Sequence, residues 1–309
     1  MTGVVRNVII IGSGPAGYTA GLYSGRALLE PLMFAGYMSG GQLMLTSDIE
    51  NFPGYPRGIG GPEMMMELRE QAERFGLEVH DKNVERVDLS RRPYSVWVEG
   101  EEYRSESLII CTGAESIWLG VEGEEAQKGR GISTCATCDG AFFKDEEVIV
   151  VGGGDSAMEE ATFLTRFAKK VTIIHRRDVF RASKVMYERA SNHEKIEIKT
   201  FKNVISWLSD ENGLTGAVLE DSRDGSKENI DCTGAFIAIG HKPITKFLEG
   251  QLETDSSGYI LHKENTMTSK DGVFAAGDVV DTRYRQAITA AGMGCQAAID
   301  AEKWLESQH

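Results

Sequence analysis

Among the five cysteines in 309 residues, only Cys135 and Cys138 lie close together, in the stretch Ser133-Thr134-Cys135-Ala136-Thr137-Cys138-Asp139-Gly140-Ala141. Two thiols with two residues between them close into a small-ring disulfide, or open to a dithiol, with little backbone movement. The pair is therefore a candidate redox switch. Its other possible uses are half of a zinc site and a structural staple. A zinc site needs a second ligand pair; no second CxxC follows, and the six histidines (His80, His175, His193, His241, His262, His309) are scattered. A staple suits a small secreted domain rather than a long chain whose start shows no signal-type segment. No metal site is expected. Asp139 follows the pair directly and is the local carboxylate placed to hand over a proton, its alternative use being a helix cap.

Two glycine-rich stretches carry a second kind of chemistry. Val8-Ile9-Ile10-Ile11 has the unbroken apolar character of a buried parallel strand, and Gly12-Ser13-Gly14-Pro15-Ala16-Gly17 follows it directly, before an alanine-rich helical segment. This is G-x-G-x-x-G in the context that gives it meaning. Gly12 permits the turn, Gly14 lets the backbone approach a pyrophosphate, and Gly17 lets helix and strand pack closely. The helix start then faces a diphosphate with unpaired N–H groups. The pattern recurs after Val148-Ile149-Val150-Val151 as Gly152-Gly153-Gly154-Asp155-Ser156-Ala157, the close G-x-G-x-x-A variant, beginning fourteen residues beyond Cys138. Twenty-one residues past Gly154 a predicted strand ends in His175-Arg176-Arg177, with Arg181 four further on. Cations where NAD-binding units carry an acid favour a 2'-phosphate, which arginine binds bidentately, so NADP(H) is expected there. Near the C-terminus, Gly272 to Asp278 reads as a last strand, and an aspartate at its end ahead of a helix suits a flavin ribityl chain and ring edge.

These residues need rigid elements to hold them. The chain is 41% hydrophobic and 26% charged, an ordinary globular balance, and its length exceeds one core, so two domains are expected. A net charge of -14 repels phosphate backbones and anionic lipid, and no apolar run reaches spanning length, so neither nucleic acid nor membrane is an expected partner. The chain reads as cytoplasmic, where a CxxC is more often catalytic than structural. The second strand should lie near Pro31 to Phe34 and ends at Ala35-Gly36, where an acidic residue ordinarily holds a ribose. Apolar spacing predicts a helix over 64–75 and another over 285–305, alternation predicts a strand pair over 84–98, and Leu108 to Cys111 reads as a buried strand ending in Thr112-Gly113. Gly40-Gly41-Gln42 and Glu50-Asn51-Phe52-Pro53-Gly54 read as loops. Cys111, Cys232 and Cys295 stand singly and are expected in the core. A flavin unit opened at Gly12, interrupted near Gly113 and completed at Asp278 makes the second unit an insertion. Linkers are expected near Glu115-Ser116 and His241-Lys242-Pro243.

At this point the chain resembles the low-molecular-weight thioredoxin reductases. The resemblance rests on the two glycine turns, Gly41-Gln42, Glu50 to Gly54, Cys135-Ala136-Thr137-Cys138-Asp139-Gly140-Ala141, His175-Arg176-Arg177-Asp178 with Phe180-Arg181-Ala182-Ser183, and Gly277-Asp278 with Arg285-Gln286-Ala287-Ile288. It implies an α/β fold of two Rossmann-like three-layer dinucleotide-binding domains, with the NADPH domain inserted into the FAD domain. The expected segments are 1–116 and 244–309 for FAD, and 117–243 for NADPH and the CxxC. By matching positions, Gly12, Ser13, Gly14, Pro15, Ala16, Gly17, Gly41, Gln42, Asn51, Val84, Asp278, Arg285, Gln286 and Ala287 belong to the FAD site. Gly152, Gly154, Asp155 and Ser156 fall beside the NADPH diphosphate, with His175, Arg176, Arg177 and Arg181 on its 2'-phosphate. The chain departs from the family at Met44-Leu45, where a threonine-rich run is frequent. The resemblance further implies a homodimer, thioredoxin as the disulfide substrate, Cys138 facing the flavin, Cys135 attacking the substrate, Asp139 as the acid, and rotation of the inserted domain between half-reactions. The rivals are a related reductase serving another dithiol partner and a non-catalytic flavin-binding sensor.

Overall fold

The computed structural model describes residues 4–46 and 48–308; Met1, Thr2, Gly3, Ser47 and His309 lie outside the described residues. The chain divides into two compact units, an outer one of residues 1–115 with 242–309 and an inserted one of residues 116–241.

The outer unit begins with β1 (Val5–Ile11), α1 (Pro15–Arg26), β2 (Leu32–Phe34), α2 (Gly61–Glu73), β3 (Glu78–His80), β4 (Arg86–Asp88), β5 (Tyr94–Val98), β6 (Glu101–Ile110) and β7 (Ala114–Ser116). Strands β3, β2, β1 and β6 lie side by side and parallel. The apolar run of β1 is continuous because both of its faces are covered. Val8 and Ile10 pack with Ala16, Ala20, Met65 and Ala72 from α1 and α2. Ile9 and Ile11 pack on the opposite side with Val87, Val96 and Val98.

The inserted unit follows with α3 (Glu124–Gln127), β8 (Ile132–Ser133), α4 (Ala136–Asp139), β9 (Glu147–Val151), α5 (Asp155–Leu164), β10 (Lys170–Ile174), α6 (Lys184–Ser191), β11 (Ile196–Lys199), β12 (Lys202–Asp210), β13 (Gly213–Asp221), β14 (Lys227–Asp231), β15 (Gly234–Ile237) and β16 (His241–Pro243), whose last residues return to the outer unit. Its main sheet runs β11-β10-β9-β15-β8, all parallel. Ala157, Met158, Ala161, Leu164 and Ala190 cover one face. The antiparallel β12-β13-β14 sheet covers the other through Val204, Trp207, Ala217 and Leu219. The chain then closes the outer unit with β17 (Val273–Ala275) and α7 (Ala287–Ser307).

Both units are therefore three-layered α/β, as the sequence leads one to expect. Details differ: the helix expected over 64–75 runs Gly61–Glu73, and the last strand is only Val273–Ala275. The expected strand pair over 84–98 is the β4–β5 hairpin, with Val84 and Glu85 left in the loop before it. Helix α7 starts two residues late because Arg285 takes φ 48°, a left-handed conformation that ends any helix on its N-terminal side. Gln286 and Thr289 then close a reciprocal capping box. Cys111 and Cys232 are buried, whereas Cys295 is only half-buried, on the α7 face toward Tyr23.

Candidate active site

The two thiols are joined as a disulfide, with their Cα atoms 5.3 Å apart. They bracket the first turn of α4, at the C-terminal end of β8: Cys138 and Asp139 both donate their backbone N–H to the Cys135 carbonyl, at 3.2 and 3.1 Å. Cys138 is exposed and Cys135 half-buried. Ser133, the last residue of β8, works in both directions. Its Oγ donates to Asp139 Oδ2 at 2.5 Å and accepts the Cys135 N–H at 3.0 Å. Burial pushes the Asp139 carboxyl above the usual aspartate range, against the pull of the Ser133 hydrogen bond. Asp139 therefore holds its proton to higher pH than an ordinary aspartate. The other buried thiols behave differently from a redox pair: burial pushes Cys232 up to about 12 and Cys111 higher still, so neither offers a thiolate.

In the inserted unit the second glycine turn leaves the end of β9, two strands from β8 in the same parallel sheet. At about 4.8 Å per strand, both pieces of chemistry share one carboxyl edge. A side chain at Gly152 would collide with the Ala238 carbonyl at 2.4 Å, whereas one at Gly154 would meet nothing within 4 Å. Gly154 thus leaves open space directly ahead of α5, whose first N–H groups have no partner within the helix. Asp155, expected at the diphosphate, accepts the Ser183 N–H at 2.6 Å, while Ser156 sits exposed beside it. The loop after β10 carries Arg176, Arg177 and Arg181, all exposed or partly so. Burial and these three arginines lower the His175 pKa, opposed by a hydrogen bond from the ring to the Val179 carbonyl.

The outer unit repeats the arrangement. A side chain at Gly12 would stand 2.3 Å from the Cys111 carbonyl and one at Gly17 would stand 2.0 Å from the Gly12 carbonyl, while the space at Gly14 is open. Gly41 lies against this turn, its side-chain position 3.7 Å from Gly14 Cα. Ser13 Oγ donates to the Ala35 carbonyl at 2.7 Å and accepts the Gly40 N–H at 2.9 Å, so it ties the turn to the loop beyond β2. Pro15 and Ala16 open α1, Pro15 needing no N–H partner there. Gln42 donates to the Ala114 carbonyl. Asn51 Nδ2 donates to Gln286 Oε1 at 3.4 Å, which brings the Glu50–Gly54 loop to the start of α7. Val84, in its loop, packs against the apolar cluster that includes Phe34 and Ile11. Asp278 follows β17; burial, reinforced by Asp281, pushes its carboxyl up to about 6, against the pull of Arg285. Arg285 is itself set by Asp281, which accepts its N–H at 2.9 Å, and Ala287 is the first residue of α7.

Residues 6–294 match the pyridine nucleotide-disulphide oxidoreductase family. The chain belongs to that family. A thioredoxin reductase of Mycolicibacterium smegmatis is 54% identical over 98% of this chain and 98% of its own. A Mycobacterium leprae protein named bifunctional thioredoxin reductase/thioredoxin is 51% identical over 97% of this chain, which spans 66% of it. The solved thioredoxin reductase of Giardia duodenalis superposes with a TM-score of 0.93 at 43% identity, over 97% of this chain and 98% of that one. Within the pyridine nucleotide-disulphide oxidoreductases, the chain thus groups with the thioredoxin reductases.

Membership implies a flavin and a pyridine nucleotide, and the two turns fit such groups: Gly14 and Gly154 each leave the room a diphosphate needs, at the head of a helix. Two participants escaped sequence reasoning. Ser133 could have been noticed as a hydroxyl two residues ahead of a helix-starting cysteine, the spacing of a local side-chain cap. Gly153 occupies a position that the dinucleotide pattern leaves free, and a third consecutive glycine was its signal.

Proposed function

We propose that the chain is an NADPH-dependent thioredoxin-disulfide reductase, working as a cytoplasmic homodimer, with FAD on the outer unit and NADPH on the inserted one. The observation that carries this reading is the Cys135–Cys138 disulfide with the half-buried, Ser133-held Asp139 beside it, on the unit that also bears the second glycine turn. The M. leprae relative whose name joins reductase and thioredoxin supports the choice of substrate.

In this reading Gly12 to Gly17, Gly41, Gln42, Asn51, Val84, Asp278 and Arg285 to Ala287 hold the flavin nucleotide. Gly152, Gly154, Asp155 and Ser156 hold the nicotinamide nucleotide, with His175, Arg176, Arg177 and Arg181 on its 2'-phosphate. When bound, the nicotinamide supplies a hydride and the flavin relays its electron pair to the disulfide. The chain's own residues do the rest. The reduced pair carries two electrons and two protons. The Cys135 thiolate attacks a substrate sulfur, and the substrate S–S bond breaks as the mixed disulfide forms. Asp139 gives its proton to the leaving thiolate. Cys138 then passes its proton to the emptied Asp139 carboxylate and attacks Cys135, which reforms the internal disulfide, and the second substrate thiolate takes up from solvent the proton that Cys135 gave up on ionising.

The test mixes protein and NADPH anaerobically with oxidised thioredoxin and follows flavin bleaching and thiol release in wild type and Cys138→Ser. Wild type should show both; the variant should bleach and release no thiol beyond one trapped mixed disulfide. Catalytic thiol release that survives in the variant, or bleaching with no release from any thioredoxin in the wild type, sinks the proposal.

A further inference from the structure

The three glycines of the second turn do three different things. Gly152 packs against a carbonyl and Gly154 faces open space, but the side-chain position of Gly153 is already occupied. A Cβ there would stand 2.2 Å from His175 Cε1 and 2.4 Å from Nδ1. The ring cannot simply swing away. It is hydrogen-bonded through Nε2 to the Val179 carbonyl at 3.1 Å and packs on Phe180 with ring centres 4.4 Å apart. Phe180 in turn packs on Tyr187 of α6, at 4.9 Å. The Gly153 carbonyl accepts the N–H groups of both Arg181 and Ala182, at 2.8 and 3.1 Å. The loop that carries the arginines therefore leaves β10 with its first side chain in the notch at Gly153 and returns to the same residue's carbonyl.

The first turn shows the same device built from a side chain. Ser13, at the equivalent position, ties Ala35 and Gly40 of the loop beyond β2. In both turns the position after the first glycine clamps the loop that follows the next strand.

We infer that Gly153 is the positioning residue for the Arg176–Arg181 loop, so that discrimination for a 2'-phosphate is set in the glycine turn as well as by the arginines. This inference rests on the NADPH reading of the inserted unit. The experiment measures calorimetric binding of 2',5'-ADP and of 5'-AMP to the FAD-loaded holoenzyme in four proteins: wild type, Gly153→Ala, His175→Ala and the double variant. Gly153→Ala should lose roughly tenfold in 2',5'-ADP affinity while keeping its 5'-AMP affinity. In the His175→Ala background the added methyl has room, and the same change should cost less than about twofold, a non-additivity expected of residues in contact. Phe180→Ala, which leaves the glycine turn untouched but frees the ring, should also lose 2',5'-ADP selectively. Equal loss in both backgrounds, equal loss of both nucleotides, or no loss in Gly153→Ala or Phe180→Ala overturns the inference. A wild type that does not prefer 2',5'-ADP to 5'-AMP overturns the NADPH reading itself.

Discussion

Asp139 owes its chemical value to two neighbours of opposite effect. Burial favours its neutral form, and the Ser133 hydroxyl favours its charged form while fixing the direction of the carboxyl. Burial wins, so a larger fraction carries the proton at neutral pH than in an ordinary aspartate. Asp139→Asn keeps the shape and removes the proton. We expect substrate thiol release to slow by about 10²- to 10⁴-fold, the usual worth of a general acid, with flavin bleaching by NADPH within about twofold of wild type. The pH dependence follows from the raised pKa: wild-type thiol release should fall as pH rises through it and the acid is lost, and that limb should be missing in Asp139→Asn. Stopped-flow bleaching and thiol assays across pH read both, and equal slowing of the two half-reactions would falsify the assignment.

At the scale of elements, the base of the β12–β13 hairpin steadies the start of the loop after β10. Lys202 donates its N–H to the His175 carbonyl at 3.0 Å, and Ser222 donates its N–H to the Phe201 carbonyl at 2.8 Å. Asp221 holds this corner together. Its carboxylate accepts Arg223 Nε at 2.9 Å and Nη2 at 2.7 Å, and pairs with Lys202 Nζ at 3.2 Å. The Arg223 hydrogen bonds, then Lys202, hold its pKa far below the usual aspartate range. A depressed folded-state pKa contributes stability that is present above the unfolded value of about 3.9 and is lost as pH falls below it. Asp221→Asn should therefore lower the melting temperature of the holoenzyme by a few degrees at pH 7. The gap should narrow as the buffer is taken from pH 5 toward pH 3, and a gap that widened on acidification would contradict the pairing.

For the whole molecule, one fact about chain order sets the mechanical problem. Cys138 and the Gly152–Ala157 turn belong to the same inserted unit, which is joined to the outer unit through β7 and β16, themselves paired with one another. In the reading proposed above, a single body therefore offers first a nicotinamide and then a disulfide to one flavin. We propose rotation about those paired connections between half-reactions, within a homodimer. Holoenzyme should sediment at twice the chain mass, and a crosslink between residues 1–115 and 116–241 should abolish turnover while leaving 2',5'-ADP binding intact. Full turnover in the crosslinked dimer would remove the need for rotation.

What the sequence determined by itself is local. Gly12, Gly14 and Gly17 were legible because strand, tight turn and helix start follow one another within a few residues, and the sterics that demand glycine there belong to the motif. The CxxC was legible for the same reason: its chemistry lies in residue type and short spacing. Tertiary structure decided the rest. Strand β6 pairs with β5 along Glu101–Ser105 and with β17 along Leu108–Ile110, although β17 lies far down the chain. It also decided that Ala35-Gly36, lacking an acid, is tied to the first turn through Ser13, that Ser133 sets Asp139, and that Gly153 is required by the ring of His175. Such contacts depend on which strands become neighbours and where their loops return. Sheet pairing is settled by the closing of a shared core, and no local window of sequence contains it.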